Sequence, residues 1–439
     1  MAMNERPREP KLDTTPPRGM RDVLPDEVEL RDRTLTTILD VYRRRGFQRI
    51  ETPAVESLTL LTRGEGGENE KLIFKILKRG ERLSAARDTD ELADLGLRFD
   101  LTVPLARYYA NNHARLPHPL KAIQIGPVWR AERPQHGRFR QFTQCDIDIL
   151  GVRSEVAEIE LILATADALS TLGLEDLTVR INDRRILASV ARHCGFEEAR
   201  FDAVFIVLDK LDKIDAGGVV GELRRDGHPE QAVSALMALL DESGGTAATP
   251  AQLARSLGET ADAAVWPGLT RIIDAVSAAA GGRFRIAFDP ALVRGMSYYT
   301  GPIFEIRHAN ATSSIAGGGR YDRMIGKLLS RDVPATGFSI GFERVIAILM
   351  ERGRPEVGGP EKTALVFEED TAHLGSILAM ARDLWDHGHI VLLELKGKRF
   401  GKQLEDLESR GFRRVVVFDA EGQPRDADLT RRAAREGTV

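Results

Sequence analysis

Residues 121–150 restrict this chain more than any other stretch. They read as two strands, 121–130 and 138–150, joined by Ala131-Glu132-Arg133-Pro134-Gln135-His136-Gly137, a hairpin with a long charged loop. Side chains alternate along a strand. On the second strand Arg138, Arg140, Phe142, Gln144, Asp146 and Asp148 therefore share one face, and Phe139, Thr143, Cys145, Ile147 and Ile149 share the other. One side packs, while the other presents cations, an amide, carboxylates and an aromatic ring. A strand that only fills a core does not carry so many long polar groups on one face. Such a face suits a nucleotide and a zwitterion together. Arginines match phosphate oxygens in a bidentate fork and keep their charge. Phe142 can stack on a purine, and Gln144 with the carboxylates can hold an ammonium group. Residues 97–103 also alternate, which predicts a further strand with Asp100 and Thr102 on its polar side, close enough to join them.

The rest of the chain sets the frame for this hairpin. Residues 26–47 predict a helix with Leu35, Ile38, Leu39 and Tyr42 on one stripe and Gly46 where a C-cap belongs. Ile50-Glu51-Thr52-Pro53 reads as an extended entry, and 63–69 as a Gly/Glu-rich loop. Residues 155–172 predict a helix capped by Ser154 and ended by Gly173, followed by a strand at 177–181. Composition then shifts to an Ala/Leu/Glu-rich helical pattern up to about Gly281, weakest at Gly217-Gly218 and Gly244-Gly245, which reads as an inserted module. Strands return at 284–288, 298–306 and 336–340, with Gly317-Gly318-Gly319 marking a turn or bringing backbone close to a ligand, and a helix at 342–350. A charged, Pro/Gly-rich linker follows. Beyond it, strand, helix, strand, helix, strand at 365–367, 373–386, 390–395, 401–409 and 414–418 predict a small α/β domain with a parallel sheet, and then a polar tail.

With 439 residues the chain is too long for one ordinary core. Its 42% apolar and 29% charged residues fit a globular protein, and no stretch approaches the ~18–20 apolar residues that span a bilayer. Met1 to Pro17 is polar, without the apolar region of a secretory signal, and Cys145 and Cys194 form no disulfide framework or zinc pattern. The expected setting is the reducing cytoplasm. A net charge of −4 advertises no overall attraction for nucleic acid, although a local basic face can still hold phosphates. There is no GxxxxGK[ST] loop and no GxGxxG after a strand, so phosphates are held by something other than those loops. Two further constellations stand out. One is Leu292-Val293-Arg294-Gly295-Met296-Ser297-Tyr298-Tyr299; the other is Gly317-Gly318-Gly319-Arg320-Tyr321-Asp322. Arg344 falls in the first turn of a helix, where the dipole disfavours a cation, and so points to an anionic partner. His387 and His389 read as surface residues at a turn.

Taken in order, these segments resemble the class II aminoacyl-tRNA synthetases and, within them, the histidyl-tRNA synthetase family. Gly46-Phe47 with Glu51-Thr52-Pro53-Ala54-Val55-Glu56 is similar to motif 1, Val128 to Phe142 to motif 2, and Gly337 to Arg344 to motif 3. Pro17 to Asp22, Leu292 to Gly295 with Tyr298-Tyr299, and Ala316 to Asp322 resemble signatures of the histidine-specific members. The resemblance covers residues 17 to about 420. It implies an α+β fold: a class II synthetase-type antiparallel sheet flanked by helices, with a helical insertion and a C-terminal α/β anticodon-binding-like domain. The expected division is a flexible arm at 1–16, a catalytic domain at 17–183 and 284–350, a helical insertion at 184–283, a linker at 351–362 and a shortened anticodon-binding-like domain at 363–439.

The implied activity is histidine–tRNA ligation: L-histidine and ATP give histidyl-adenylate, and the histidyl group then passes to the 3′ end of tRNA(His). Arg130 and Arg294 are the implied catalytic residues. Arg130, Glu132, Arg138, Phe142 and Arg344 are implied to hold ATP, with Mg2+ between phosphate oxygens and no side chain assigned as its ligand. Asp100, Thr102, Gln144, Asp148, Arg294, Tyr298, Tyr299 and Tyr321 are implied to bind histidine, and Gln135 to lie near the tRNA acceptor end. Motif 1 implies a homodimer, and nothing implies a membrane. The competing readings are a non-catalytic synthetase-like regulatory subunit and a stand-alone amino-acid adenylating enzyme. The first is expected to lose the motif arginines and the C-terminal domain; the second has only the short C-terminus in its favour.

Overall fold

The computed structural model describes residues 12–62, 69–88, 91–133, 139–242, 249–294, 298–311, 313–352 and 360–427. The chain divides into two compact units, Met1–Gly353 and Arg354–Val439. In the first, β1 (Gln48–Arg49) starts the large sheet, and β2 (Val55–Ser57), β3 (Lys75–Leu77) and β4 (Ala93–Leu97) form a separate small one in the order β2-β4-β3. The large sheet continues with β5 (Leu120–Trp129), β6 (Gln141–Leu150), β7 (Leu177–Asp183), β8 (Phe284–Phe288), β9 (Pro302–His308), β10 (Ala316–Arg320) and β11 (Ala335–Gly341). Its order is β1-β5-β6-β11-β10-β9-β7-β8. Only the edge pairs β1/β5 and β7/β8 are parallel; every inner pair is antiparallel.

The alternation in β5 and β6 decides which way the sheet faces. Ile123, Cys145, Ile147 and Ile149 are buried in the main core. Helices Pro25–Arg44 and Val156–Thr171 contribute Ile38, Val41 and Tyr42, and Leu161, Ile162 and Leu169, to the same core. The opposite face is left to the polar side chains. The expected helix at 26–47 ends at Arg44, and Gly46 takes a positive φ of 80° in the turn that leads into β1.

The helical module lies in the crossover between β7 and β8. Parallel neighbours cannot be joined by a tight turn, and here the connection runs from helix Arg184–Cys194 through helix Val265–Ala280. Gly217-Gly218 falls within helix Leu211–Arg225, whose non-helical residue is Asp215; the Asp215 carboxylate accepts from the Gly218 N–H at 2.9 Å. Gly244-Gly245 and most of the loop expected at 63–69 lie outside the described residues.

Five sequence expectations need correction. The alternating run at 97–103 is not a strand: β4 ends at Leu97 and a helix spans Thr102–Asn112. Asp100 accepts from the Val103 N–H at 3.1 Å, so its alternation with Thr102 marks a helix start rather than a strand face. Ser154 does not cap the next helix through its hydroxyl; its carbonyl accepts from Ala157 N–H and from Arg320. Gly317-Gly318-Gly319 is not a turn but the middle of β10, wholly buried. The strand expected at 298–306 starts only at Pro302. Finally, the chain after Phe418 is more than a tail.

The second unit holds β12 (Lys362–Phe367), β13 (Ile390–Leu395), β14 (Arg414–Phe418) and β15 (Pro424–Asp426) in the order β13-β12-β14-β15. The first three are parallel, as the strand–helix alternation predicts, and β15 adds an antiparallel edge that the polar sequence did not advertise. Two small apolar clusters flank this sheet: Leu365, Ile377, Ala381 and Val416 on one side, Ala364, Val366, Leu407 and Val415 on the other. Among the described residues no helix is long and apolar enough to cross a membrane.

Candidate active site

Strand register lines up the polar groups of the large sheet. Gln124, Asp146, Ser339, Gly317, Glu305 and Arg180 form one row across β5, β6, β11, β10, β9 and β7. Two residues along, Asp148, Gly337 and Gly319 form the next row; on the other side Gln144 pairs with Gly341. The glycines are set by what lies on them. A Cβ on Gly337 would meet Asp148 Oδ1 at 1.9 Å, and a Cβ on Gly317 would meet Arg294 Nη2 at 2.3 Å. The run misread as a turn is thus a floor kept bare for neighbouring side chains.

An open cleft of about 820 Å³ lies over these rows. Its lining includes Arg130, Glu132, Phe142, Gln144, Arg294 and Arg344. Arg130 donates from Nε to the Phe99 carbonyl at 2.9 Å, and its guanidinium lies 5.1 Å from the centre of the Phe142 ring. Arg294 donates from Nη1 to Glu305 Oε2 at 3.3 Å, while its buried Nε has no hydrogen-bond partner among the described protein groups. Arg344 donates to the Ser314 carbonyl, which helps accommodate a cation in the first turn of helix Phe342–Glu351. The preceding Glu343 accepts a bidentate pair from Arg31 at 2.6 and 2.7 Å and the Thr143 N–H at 3.1 Å.

Next to the cleft lies a buried, acid-rich cluster. Asp100, Asp146 and Asp148 are all at most 4% exposed. Burial pushes the Asp100 carboxyl up to about 6, against its hydrogen bond from Val103 and the charge of Arg130. Burial also pushes Asp148 up to about 7, opposed by the Tyr321 hydroxyl, which donates to Asp148 Oδ1 at 2.5 Å. Asp146 is raised well above the ordinary carboxylate range, first by burial and then by neighbouring Asp148. Asp100 Oδ2, Asp146 Oδ1 and Gln144 Oε1 are buried acceptors without a protein donor among the described residues. Tyr298 packs edge-on against Tyr299 and Tyr321, with ring centres 4.8 and 5.8 Å apart. Ser339 joins the two regions, its hydroxyl oxygen accepting from Gln144 Nε2 at 3.1 Å. Acceptors clustered beside an arginine-lined cleft call for a ligand with cationic donors at one end and anionic oxygens at the other.

The sequence matches the histidyl-tRNA synthetase family over residues 19–345. It is 48% identical to the histidine–tRNA ligase of Leifsonia xyli subsp. xyli (strain CTCB07) over 419 residues, covering 93% of this chain and 96% of that one. The chain belongs to the histidyl-tRNA synthetase family. A crystal structure of the histidyl-tRNA synthetase from Nostoc sp. PCC 7120 superposes with a TM-score of 0.75 at 26% identity, covering 97% of this chain and 99% of that chain. The same fold occurs in a Bacillus halodurans protein described as an ATP phosphoribosyltransferase regulatory subunit/histidyl-tRNA synthetase, with a TM-score of 0.72 at 23% identity, covering 93% of this chain and 99% of that one.

Most of the residues expected of a histidyl-tRNA synthetase converge here. Arg130, Glu132, Phe142, Gln144, Arg294 and Arg344 line the cleft. Asp148, Tyr298, Tyr299 and Tyr321 meet through their hydroxyl, carboxylate and ring contacts. Thr102 opens the helix beside Asp100 instead of sharing a strand face with it. Gln135, Arg138 and Ser297 lie outside the described residues. Three contributors were not singled out from sequence as site residues. Asp146 was legible as a member of the polar face of its strand. Glu305 had a weaker signal, a carboxylate within the run Pro302-Ile303-Phe304-Glu305-Ile306, and Ser339 had only its place in the segment similar to motif 3.

Proposed function

We propose that this chain is a histidine–tRNA ligase that works in two steps. The carboxylate of L-histidine attacks the α-phosphorus of ATP, the bond to the bridging oxygen of the β-phosphate breaks, and pyrophosphate leaves. The 3′-terminal ribose hydroxyl of tRNA(His) then attacks the acyl carbon, and AMP leaves. The observation that carries this reading is the junction of two unlike environments. Buried acceptors at Asp100, Asp146, Asp148 and Gln144 adjoin a cleft bearing Arg130, Arg294 and Arg344. The acid-rich side suits the ammonium and imidazole of histidine, and the arginines suit carboxylate and phosphates.

Adenylate formation depends on positioning and on cations aimed at developing charge. Arg130 and Arg294 take the α-phosphate and the reacting carboxylate, Phe142 and Glu132 the adenine, and Arg344 with Arg138 the terminal phosphates. Asp100, Thr102 and Gln144 bind the α-amino end. Asp148, Tyr298, Tyr299 and Tyr321 shape the imidazole pocket, and Gln135 lies near the acceptor end of the tRNA. Among the described residues no group of three or more His, Cys, Asp or Glu side chains could hold a metal. Mg2+ would arrive with ATP between phosphate oxygens, with no side chain of this chain assigned as its ligand. The ion, when bound, neutralises phosphate charge.

The catalytic domain is residues 17–183 and 284–350, with a helical insertion at 184–283, a linker at 351–362 and the anticodon-binding-like domain at 363–439. The chain works as a homodimer in the cytoplasm. Val55, Leu77 and Leu95, exposed apolar side chains on the small sheet β2-β4-β3, support an interface near motif 1. Sedimentation at micromolar concentration is expected to give twice the chain mass; a monomer at that concentration removes the dimer.

The test of function is ATP–pyrophosphate exchange with a panel of amino acids, followed by charging of tRNA. Exchange is expected with histidine alone, and charging with tRNA(His) alone. A folded protein that exchanges with none of them overturns the proposal. Gly317→Ala is expected to push Arg294 off its seat and to lower exchange by roughly 10²-fold with little change in thermal midpoint; measuring both separates a displaced guanidinium from a lost fold.

A further inference from the structure

The polar row continues past the cleft into a buried ion cluster. Glu305 is 5% exposed and lies opposite Arg180 on one side and Gly317 on the other. Its Oε1 accepts from Arg180 Nη1 at 3.0 Å and from Arg307 Nε at 2.9 Å, and its Oε2 accepts from Arg294 Nη1 at 3.3 Å. Arg180 is also paired with Asp289, which is 1% exposed. Gly317 has no side chain, so the Arg294 guanidinium occupies the slot where a Cβ would stand. Three guanidinium groups thus converge on one carboxylate, and one of them lines the cleft.

We infer that Glu305 is a positioning residue for Arg294, holding its guanidinium over Gly317 on the wall of the cleft. The inference rests on the role given to Arg294 above and adds what keeps that arginine in place. A long side chain with many rotamers gains catalytic value only when something restricts it. Here Gly317 supplies the seat and Glu305 the tether. Arg180 and Arg307 occupy the other carboxylate oxygen, which leaves Oε2 directed at Arg294. The negative charge matters as well as the geometry. Without it, no negative charge stands between Arg294 and the guanidinium groups of Arg180 and Arg307, which favours the departure of Arg294.

The test uses the full chain and the substitutions Glu305→Gln, Glu305→Asp, Arg294→Ala and the double variant Glu305→Gln with Arg294→Ala. Histidine-dependent exchange is followed for kcat and for the KM of histidine and of ATP, with the thermal midpoint as a control on folding. Glu305→Gln is expected to lower kcat about 10–100-fold, with both KM values within about threefold of the wild type. In the Arg294→Ala background the same substitution is expected to change the residual rate less than about twofold, because the group it positions is gone. A purely structural role predicts losses that multiply, and that result overturns the inference, as does wild-type kcat in folded Glu305→Gln. Should Glu305→Gln fail to fold, Glu305→Asp carries the test. It keeps the charge that Arg180 and Arg307 need but shortens the reach to Arg294, so kcat falls while KM holds; wild-type kcat there overturns the inference too. Normal turnover by Arg294→Ala is a different outcome: it removes the role of Arg294 itself and with it the basis of this inference.

Discussion

Arg294→Ala is expected to lower histidine-dependent ATP–pyrophosphate exchange by roughly 10²–10³-fold, the usual effect of deleting one preorganised donor aimed at developing charge. The fold is expected to survive. Arg294 makes one hydrogen bond to the protein at 3.3 Å, and its buried Nε has no protein acceptor among the described residues. Its removal therefore leaves Glu305 with Arg180 and Arg307 still attached, and no carboxylate is stranded. The loss should fall on kcat more than on the KM of either substrate, since the guanidinium matters most once negative charge gathers on the α-phosphate. The measurement is steady-state exchange alongside the thermal midpoint. A folded variant with normal kcat would falsify the catalytic role and return Arg294 to a structural one.

What the sequence revealed, and what it hid, follows from the range of the interactions. The face of β6 was legible because a period of two is written in consecutive residues: Phe142, Gln144, Asp146 and Asp148 alternate with Thr143, Cys145, Ile147 and Ile149. The C-terminal unit was legible for a similar reason, as strand and helix periods alternate from Lys362 to Phe418. Gly317-Gly318-Gly319 was misread because glycine has two uses. The local cue, freedom of the backbone, points to a turn. The operative cause is contact: the Arg294 guanidinium on Gly317, the Gly337 carbonyl on Gly318 and the Pro302 carbonyl on Gly319. Residues 97–103 failed differently. Asp100 and Thr102 satisfy a strand pattern by coincidence: Asp100 accepts from the Val103 N–H, and Thr102 is the first residue of a helix that admits Pro104 in its first turn. Glu305 was hidden because its partner Arg180 lies 125 positions earlier, beyond any local pattern.

The second large effect is expected at Asp148, and it has two signs. Asp148→Asn should lower kcat/KM for histidine by roughly 10²-fold, since it removes the charged acceptor that Tyr321 buttresses and leaves buried donors unmatched. The same change should stabilise the free protein at alkaline pH. Burial raises the Asp148 carboxyl to about 7 from an ordinary 3.8. A carboxyl raised on folding binds its proton more tightly in the native state, so its contribution is fully present below about pH 4 and is lost as pH rises to about 7. Asp100, raised to about 6, acts in the same direction over a narrower window. Above pH 7 the ionised, buried Asp148 opposes folding. Asparagine carries no such charge. Thermal midpoints from pH 4 to 9 should therefore show the wild type and Asp148→Asn closest at the acid end and the variant higher at pH 8. Saturating histidine should raise the wild-type midpoint at pH 8, because its imidazole N–H donates to the Asp148 carboxylate, and should leave the variant nearly unmoved. A variant less stable than the wild type at pH 8, or one still stabilised by histidine, would show that Asp148 is a structural partner of Tyr321 and not the group the imidazole meets.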